Sequence, residues 1–135
     1  MKISVFIFFS IFLYFNFLKS DNHDYIMKGP LAGSLYYTDK KPGRWKDSID
    51  SHRPIISKKG NQLTVTTNHE MRGFEHYIIK HIILDKEFNI ISEILFDPSK
   101  SIASSSHDIS GYSEKIFVLS ICNQHDTWLN YISLK

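Results

Sequence analysis

Short runs of apolar, β-branched and aromatic residues alternate with turn residues along the chain from Pro54 onward. Runs of this kind, separated by hairpin-like connections such as residues 58–61 and 85–89, are typical of a β-sandwich or a small barrel. No stretch has a sustained helical period, so we predict an all-β class. The predicted strands are Pro54–Ser57, Gln62–Thr67, His76–Leu84, Ile90–Phe96, Ile102–His107, Ile116–Ile121 and Thr127–Leu134.

Residues 21–49 have a different character, because they are polar and are interrupted by Gly29-Pro30 and Pro42-Gly43. Such punctuation predicts an irregular N-terminal arm, with at most one short strand around Ser34–Thr38. A single β-sandwich domain is then expected to occupy residues 50–135.

The first twenty residues predict an export signal. Lys2 is followed by the apolar run Val5–Leu18, which is shorter than the ~20 residues that span a bilayer and has the order of a secretory signal peptide. We expect cleavage after Ser20 and a periplasmic or extracellular protein. Leu18 makes the cleavage site imperfect, so an uncleaved membrane anchor is the alternative, and membrane association is expected only in that case.

Charge and cysteine content narrow the function. The net charge is only +2, and the sixteen lysines and arginines are scattered along the chain, which gives no support to nucleic-acid binding. Exported proteins of this size often contain paired cysteines, whereas Cys122 is the only cysteine here. Cys122 therefore needs an explanation other than an intrachain disulfide.

The segment Cys122-Asn123-Gln124-His125 directly follows the predicted strand Ile116–Ile121. A cysteine and a histidine three residues apart in a turn can bind one metal ion. The alternative is that Cys122 is a small buried hydrophobic residue and that His125 lies at the surface.

Three further histidines favour the metal site. Pro54 restricts the backbone after His52, which we expect at a strand edge, and His69 and His76 flank the loop of residues 70–75. Ligands on loops and strand ends are common in sandwich proteins. By contrast, His81 is predicted to point away from His76 because strand side chains alternate in direction. We expect His107 to be a solvated or hydrogen-bonded imidazole.

The donor types do not by themselves select the metal. Imidazole suits zinc, copper, iron and nickel, and one thiolate narrows this choice without deciding it. A closed zinc site would use only four of the five groups. Blue copper would need an axial methionine beyond the last histidine, and no methionine follows Met71.

The four segments together resemble a known family. His52-x-Pro54, His69-x-Met71, His76-Tyr77-Ile78 and Cys122-Asn123-x-His125-x-x-Trp128 resemble the iron-site segments of superoxide reductases, the desulfoferrodoxin and neelaredoxin group. The resemblance covers roughly Leu31–Leu134. It implies an immunoglobulin-like β-sandwich of about seven strands and one-electron reduction of superoxide to hydrogen peroxide.

The resemblance also implies a cofactor and its ligands. The cofactor would be one mononuclear non-heme iron, with an open sixth site. The equatorial ligands would be His52, His69, His76 and His125, and the axial ligand would be the Cys122 thiolate. The absence of further cysteines implies a one-iron form that takes its electron from an external donor. A homo-oligomer is possible.

Three positions depart from the family pattern. The family has a lysine directly before the first histidine, whereas this chain has Ser51. We expect Arg53 or Lys46 to attract the superoxide anion instead. Asp126 replaces a glycine that is common after the last histidine, and the segment from His69 to His76 is one residue longer than in the commonest members.

Two other functions remain open at this point. The chain could be an exported metal-binding or electron-transfer protein without rapid superoxide chemistry, or a structural β-domain with incidental histidines. In addition, cleavage after Ser20 would leave Asp21-Asn22-His23 at the amino terminus, where a free amine and a third-position histidine can bind Cu²⁺ or Ni²⁺.

Overall fold

The computed structural model describes residues 22–135, and these form a β-sandwich with a short helical arm at its N-terminal end. The three-stranded sheet has the order β1-β2-β5, and the four-stranded sheet has the order β4-β3-β6-β7. All neighbouring strands are antiparallel. The strands are β1 (Ile55–Lys59), β2 (Gln62–Thr67), β3 (Ile78–Leu84), β4 (Ile90–Leu95), β5 (Ala103–Asp108), β6 (Lys115–Cys122) and β7 (Thr127–Ser133).

The predicted all-β sandwich is confirmed. Each of the seven predicted strands exists and ends within about two residues of its predicted limits. The alternation that predicted them reflects burial, because successive side chains of a strand point to opposite faces. In β2, Leu63 and Val65 are fully buried between the sheets, whereas Gln62 and Thr64 are exposed.

The sandwich is closed at one end by an apolar core. Burial of this cluster stabilises the sandwich by about 25 cal/mol per Å² of apolar surface removed from water. Its fully buried members come from both sheets and the adjoining loops: Leu63, Val65, Ile83, Ile109, Ile116 and Val118.

The arm contains helices that its polar, glycine- and proline-rich sequence did not predict. They are α1 (Asn22–Lys28), a 3₁₀ helix at Gly43–Ser48 and the one-turn α2 (Ile49–His52). The short strand expected at Ser34–Thr38 does not form; this segment makes only isolated bridges, one of which pairs Tyr37 with Trp128. None of these helices is long and apolar enough to cross a membrane.

His52 also lies in a different setting from the expected strand edge, because it is the last residue of α2. Arg53 is extended (φ −64°, ψ 128°), as expected for a residue before proline, whose ring disfavours helical geometry in its predecessor. Pro54 thus ends the helix and directs the chain into β1. The predicted signal peptide lies outside the described residues, and the predicted domain division at residue 50 stays a prediction.

Candidate metal centre

Five potential ligand atoms meet at the end of the sandwich opposite its apolar core. Each pair of these atoms lies within 4.8 Å. The contributing side chains are His52, His69, His76, Cys122 and His125. They come from the end of α2, the segments after β2 and before β3, and the end of β6 with the turn that follows it.

The four imidazoles form a ring of nitrogen atoms. His125 Nδ1 lies 2.9 Å from His52 Nε2 and 2.8 Å from His76 Nε2, and His76 Nε2 lies 2.9 Å from His69 Nε2. A square with edges of this length has corners about 2.0 Å from its centre, which is the length of a metal–imidazole bond. The nitrogens are therefore spaced for one ion between them.

The sulfur of Cys122 lies to one side of this ring. It is 3.7 Å from His69 Nε2 and 3.7 Å from His125 Nδ1, two atoms that are not neighbours around the ring. Equal distances to opposite corners place the sulfur midway between these two nitrogens, within 4.8 Å of all four. The five atoms are therefore spaced to hold one ion among four imidazoles and one sulfur.

Burial favours the neutral form of His52, His69 and His76. It lowers the pKa of His52 to about 4 and that of His69 to about 4, and in each case a neighbouring histidine adds to the effect. Burial also lowers the pKa of His76. A neutral imidazole has a free lone pair, so at neutral pH these rings are able to bind a cation without first losing a proton.

The Cys122 sulfur, unlike these imidazoles, is not in its metal-binding form when no cation is bound. Burial raises the pKa of the Cys122 thiol, so the side chain is protonated at neutral pH in the absence of a cation. A bound metal ion deprotonates a coordinating thiol outright. The thiolate that the family resemblance implies would therefore depend on the metal.

The ring of His52 is oriented by its own helix. Its Nδ1 lies 3.1 Å from the Ser48 carbonyl oxygen and 2.8 Å from Ser51 Oγ. Donation from Nδ1 to these oxygens leaves the Nε2 lone pair facing the ring, which is the usual way in which a metal-binding histidine is fixed. Ser51, the residue in the place of the family's lysine, thus contacts the ligand itself.

His125 is held by the arm. The Trp45 indole packs edge-on against the imidazole, with centroids 4.7 Å apart and planes at 87°. Asp126 Oδ2 accepts hydrogen bonds from Trp45 Nε1 (2.8 Å) and Arg44 Nη2 (2.6 Å). We call Arg44, Trp45 and Asp126 the arm clasp, because they join the 3₁₀ helix to the turn that carries His125.

Asp126, which stands where the family commonly has glycine, has a structural role in the arm clasp. Asp126 has φ 63°, in the left-handed region that glycine adopts freely and that aspartate tolerates better than most other residues. The Arg44 guanidinium holds the pKa of the Asp126 carboxyl below its usual range. At this position the carboxylate provides contacts that a glycine could not.

The loop between His69 and His76 is tied to the Cys122 turn. Asn123 Oδ1 accepts from the Tyr77 backbone N–H (3.0 Å), and Asn123 Nδ2 donates to the backbone carbonyl oxygens of Phe74 and Glu75. Within the loop, Arg72 and Glu70 form an ion pair. The extra residue of this segment is accommodated without separating the two histidines.

The cations predicted to attract an anion differ in their surroundings. Arg53 follows His52 in the chain, and its guanidinium lies 3.3 Å from Asp39 Oδ2. Lys46 is exposed on the 3₁₀ helix. Arg72 was not predicted, yet its charge adds to the effect of burial in lowering the pKa of both His69 and His76. Its position between two ligand histidines was the signal that could have identified it.

Two other imidazoles of the sandwich lie outside the cluster. His81 is fully buried and bonds to the hydroxyls of Thr67 and Ser105. His107 is hydrogen-bonded, one of the two expected outcomes, and it is buried between Ser92 and Ser105. The first residue of the proposed amino-terminal copper or nickel motif lies outside the described residues, so that motif stays a prediction.

The donor set fits a transition metal ion. Neutral imidazoles and one cysteine suit iron, copper, zinc or nickel, whereas calcium and magnesium prefer oxygen ligands. In a protein without a cation, His125 Nδ1 would have to serve two other imidazole nitrogens at once. A single ion explains the convergence of all five atoms.

Comparisons with known proteins support the fold. No protein-family model matches the chain, and no curated protein matches it at a significant level. Solved structures do match. A neelaredoxin-type superoxide reductase from Ignicoccus hospitalis is 20% identical, with a TM-score of 0.62 over 76% of this chain and 95% of that one.

Two other superoxide reductases give similar results. The one-iron protein from Giardia intestinalis is 22% identical over 63% of this chain and 99% of its own, with a TM-score of 0.54. The protein from Treponema pallidum is 17% identical over 60% and 66%, with a TM-score of 0.50. The chain therefore has the superoxide reductase fold, and the predicted resemblance is confirmed at that level. The same fold carries a His₄Cys cluster compatible with a one-iron site.

Proposed function

We propose that this chain is an exported one-iron superoxide reductase. The observation that carries the proposal is the convergence of four imidazoles and one cysteine within 4.8 Å, on a fold shared with superoxide reductases. His52, His69, His76, His125 and Cys122 would hold the iron. Five protein donors leave one position of a six-coordinate ion without a protein ligand.

Iron at this centre would supply a one-electron reductant and Lewis-acid stabilisation for a small anion. The reaction consumes superoxide, one electron and two protons, and it yields hydrogen peroxide. The electron comes from an external donor. The chain's own part is to hold the donor atoms, to keep the Cys122 sulfur close to the four imidazoles, and to admit the anion and protons.

Attraction of the anion requires positive charge near the site. Arg53 and Lys46 are the proposed contributors, and Arg72 adds a third because its charge acts on two of the ligand histidines. Asp39 and Glu70 reduce the effect of Arg53 and Arg72, respectively. We therefore expect weaker and more salt-sensitive steering than an unpaired lysine would give.

The steering hypothesis has a direct test. Replacement of Arg53 and Lys46 by alanine should reduce the second-order rate constant for superoxide several-fold and flatten its dependence on ionic strength. Arg72→Ala, measured separately, should act in the same direction. If neither the rate nor its salt dependence changes in any of these variants, the steering assignment is wrong.

The principal test uses protein purified and loaded with iron in the absence of oxygen. Oxidation should produce an intense visible band from thiolate-to-iron charge transfer, and reduction should abolish it. Stopped-flow mixing of the reduced protein with superoxide should then show rapid oxidation with one peroxide formed per iron. A colourless protein that contains zinc and does not react would refute the proposal.

A second function is favoured by one observation, which is that Ser51 contributes a hydrogen bond to His52 where the family has a cation. The alternative is an exported metal-binding or electron-transfer protein that uses the same site. It predicts reversible redox cycling with a slow superoxide reaction.

Export itself is tested by the first residue of the protein isolated from its native source, for which mass spectrometry should give Asp21.

A further inference from the structure

A row of polar side chains, all buried except the partly buried Ser92, runs through the sandwich from beside the metal centre to the level of the apolar core, where His107 and Ser92 are the register partners of Leu63 and Ile83. Its members, in order, are Ser120, Thr67, His81, Ser105, His107 and Ser92. Each adjacent pair is joined by a hydrogen bond of 2.7 to 2.9 Å. We call these six residues the polar seam.

The polar seam fastens the two sheets to each other. Thr67, Ser105 and His107 belong to the three-stranded sheet, and their partners in four of the five contacts belong to the other sheet. An apolar contact tolerates small displacements, whereas a buried hydroxyl or imidazole that loses its partner is strongly disfavoured. The seam therefore holds the intersheet distance within narrow limits.

The end of the seam lies directly beneath the metal centre. In β2 and the residues after it, the inward-facing positions are Leu63, Val65, Thr67 and His69 in that order. In β6 the corresponding series is Ile116, Val118, Ser120 and Cys122. Both series therefore run from core residues through a hydroxyl to a ligand, with a period of two.

The hydroxyls and the ligands are matched across the sandwich. Thr67 Oγ1 lies 2.8 Å from Ser120 Oγ, and His81 Nε2 lies 2.9 Å from the same Thr67 oxygen. His81 and Ser120 are direct partners in the β3–β6 register. Two residues farther along each strand, His69 Nε2 and Cys122 Sγ lie 3.7 Å apart. The Thr67–Ser120 hydrogen bond thus joins the two sheets two residues before His69 and Cys122, the candidate ligands that come from opposite sheets.

We infer that Thr67, Ser120 and His81 are positioning residues that set the distance between the His69 imidazole and the Cys122 sulfur. They touch neither ligand's donor atom, and they act through the spacing of β2 and β6. This role rests on the proposed metal centre but not on the reaction with superoxide. Loss of the Thr67 hydroxyl would let the strands shift and would weaken the metal–sulfur bond.

Cobalt substitution tests the inference independently of catalysis, because Co²⁺ reports a bound thiolate by sulfur-to-cobalt charge-transfer absorption. The full chain is titrated with Co²⁺ under anaerobic conditions. Thr67→Val removes the hydroxyl at nearly constant volume. We expect a shifted and weakened charge-transfer band and about tenfold weaker cobalt binding, the range found when groups that support metal ligands are lost. Thr67→Ser should restore both.

The matched control is Ser92→Ala, which removes a hydroxyl from the opposite end of the same seam. It should lower stability while leaving the band and the cobalt affinity at their wild-type values. If Thr67→Val does not fold, Ser120→Ala provides the same readouts, because it leaves the Thr67–His81 bond in place.

Two results would overturn the inference. The first is a wild-type band and affinity in folded Thr67→Val or Ser120→Ala, which would reduce the seam to a structural role. The second is the absence of any sulfur-to-cobalt band in the wild-type protein. Wild-type iron protein that is inert toward superoxide would instead refute the proposed function, and the cobalt series would still decide the positioning role.

Discussion

The two sides of the candidate metal centre are built in different ways. Cys122 ends β6 and His69 lies two residues beyond β2, so the sheet registers and the polar seam determine where they lie. His52 comes from the one-turn α2, where local contacts to Ser48 and Ser51 orient the ring. The sandwich therefore preorganises one side of the site, and the arm completes the other.

This difference has an energetic meaning. The strand-borne ligands share the cooperativity of the whole sandwich, because displacing them disturbs buried hydrogen bonds. The arm is joined to the ligand turn by the arm clasp and by short backbone contacts, such as Tyr37 N–H to the Thr127 carbonyl oxygen. We expect the arm side to open more readily and to depend more on the metal.

The largest effect is expected on replacement of Cys122, the candidate sulfur ligand at the end of β6. Cys122→Ser keeps the shape of a small buried side chain but replaces the soft sulfur by oxygen. The thiolate-to-metal band of the iron or cobalt protein should disappear entirely, while far-ultraviolet circular dichroism stays unchanged. Persistence of the band in this variant would show that Cys122 does not bind the metal.

Removal of one ligand from each side sharpens the comparison. His52→Ala and His69→Ala should each weaken Co²⁺ binding by more than about 100-fold, beyond the loss seen for groups that only support ligands. In the metal-free protein, urea unfolding should distinguish them. His69→Ala should lower stability by about 1 to 2 kcal/mol, and His52→Ala should change it by less than about 0.5 kcal/mol.

The opposite stability result, with His52→Ala the more damaging change, would contradict the division between a preorganised sandwich and a completing arm. Measurement of both variants at pH 7 without metal excludes any contribution from the ion.

Acid should lower the stability of the sandwich, because its buried imidazoles resist protonation in the folded state. Burial lowers the pKa of His81 to about 3, with His107 adding to the effect, and also lowers the pKa of His107. The unfolded chain therefore binds more protons below pH 6.5, and stability falls as the pH drops from 6.5 toward 3. For His81 alone, the loss at pH 5 is about 2 kcal/mol.

His81→Gln tests this estimate, because glutamine has no titrating group. The free energy of unfolding of the metal-free variant should change less between pH 7 and pH 5 than that of the wild-type protein. An unchanged difference between the two pH values would mean that His81 does not contribute to acid sensitivity.

The smallest effect is expected in the arm clasp. Asp126→Gly relieves the positive φ but removes the carboxylate, whereas Asp126→Asn keeps an acceptor for Trp45 and tolerates the same backbone geometry. Because the carboxylate is partly exposed, we expect a loss of at most about 1 kcal/mol. Asp126→Gly should change Trp45 fluorescence and speed proteolysis within residues 43–52. Equal proteolysis in both variants would argue against the clasp.

The sequence predicted the sandwich well because burial and strand alternation have the same period. Residues such as Leu63 and Val65 are buried at every second position, so the pattern is visible without the structure. It also predicted the five residues that the structure brings together, because their order and spacing resemble a family, although each short segment alone was ambiguous.

The arm was less predictable for a physical reason. Its helices are at most seven residues long, and the arm is held by contacts to distant residues, such as Trp45 to Asp126. Helices this short have little intrinsic stability, and their sequences carry little periodic signal. The polar seam was also missed, since serines and histidines in β5 resemble an exposed strand until their partners in the facing sheet are known.

Within the polar seam, the positions of the ring protons of His81 and His107 depend on each other, because the Ser105 hydroxyl contacts both rings. Each imidazole uses both ring nitrogens to contact hydroxyl groups, and each hydroxyl has one hydrogen to donate. All five contacts receive a hydrogen only if His81 and His107 carry their protons on the same named nitrogen, both on Nδ1 or both on Nε2. Nitrogen chemical shifts should therefore report one shared tautomer for the two rings, and a change of tautomer at either ring should reverse the direction of donation along the entire row.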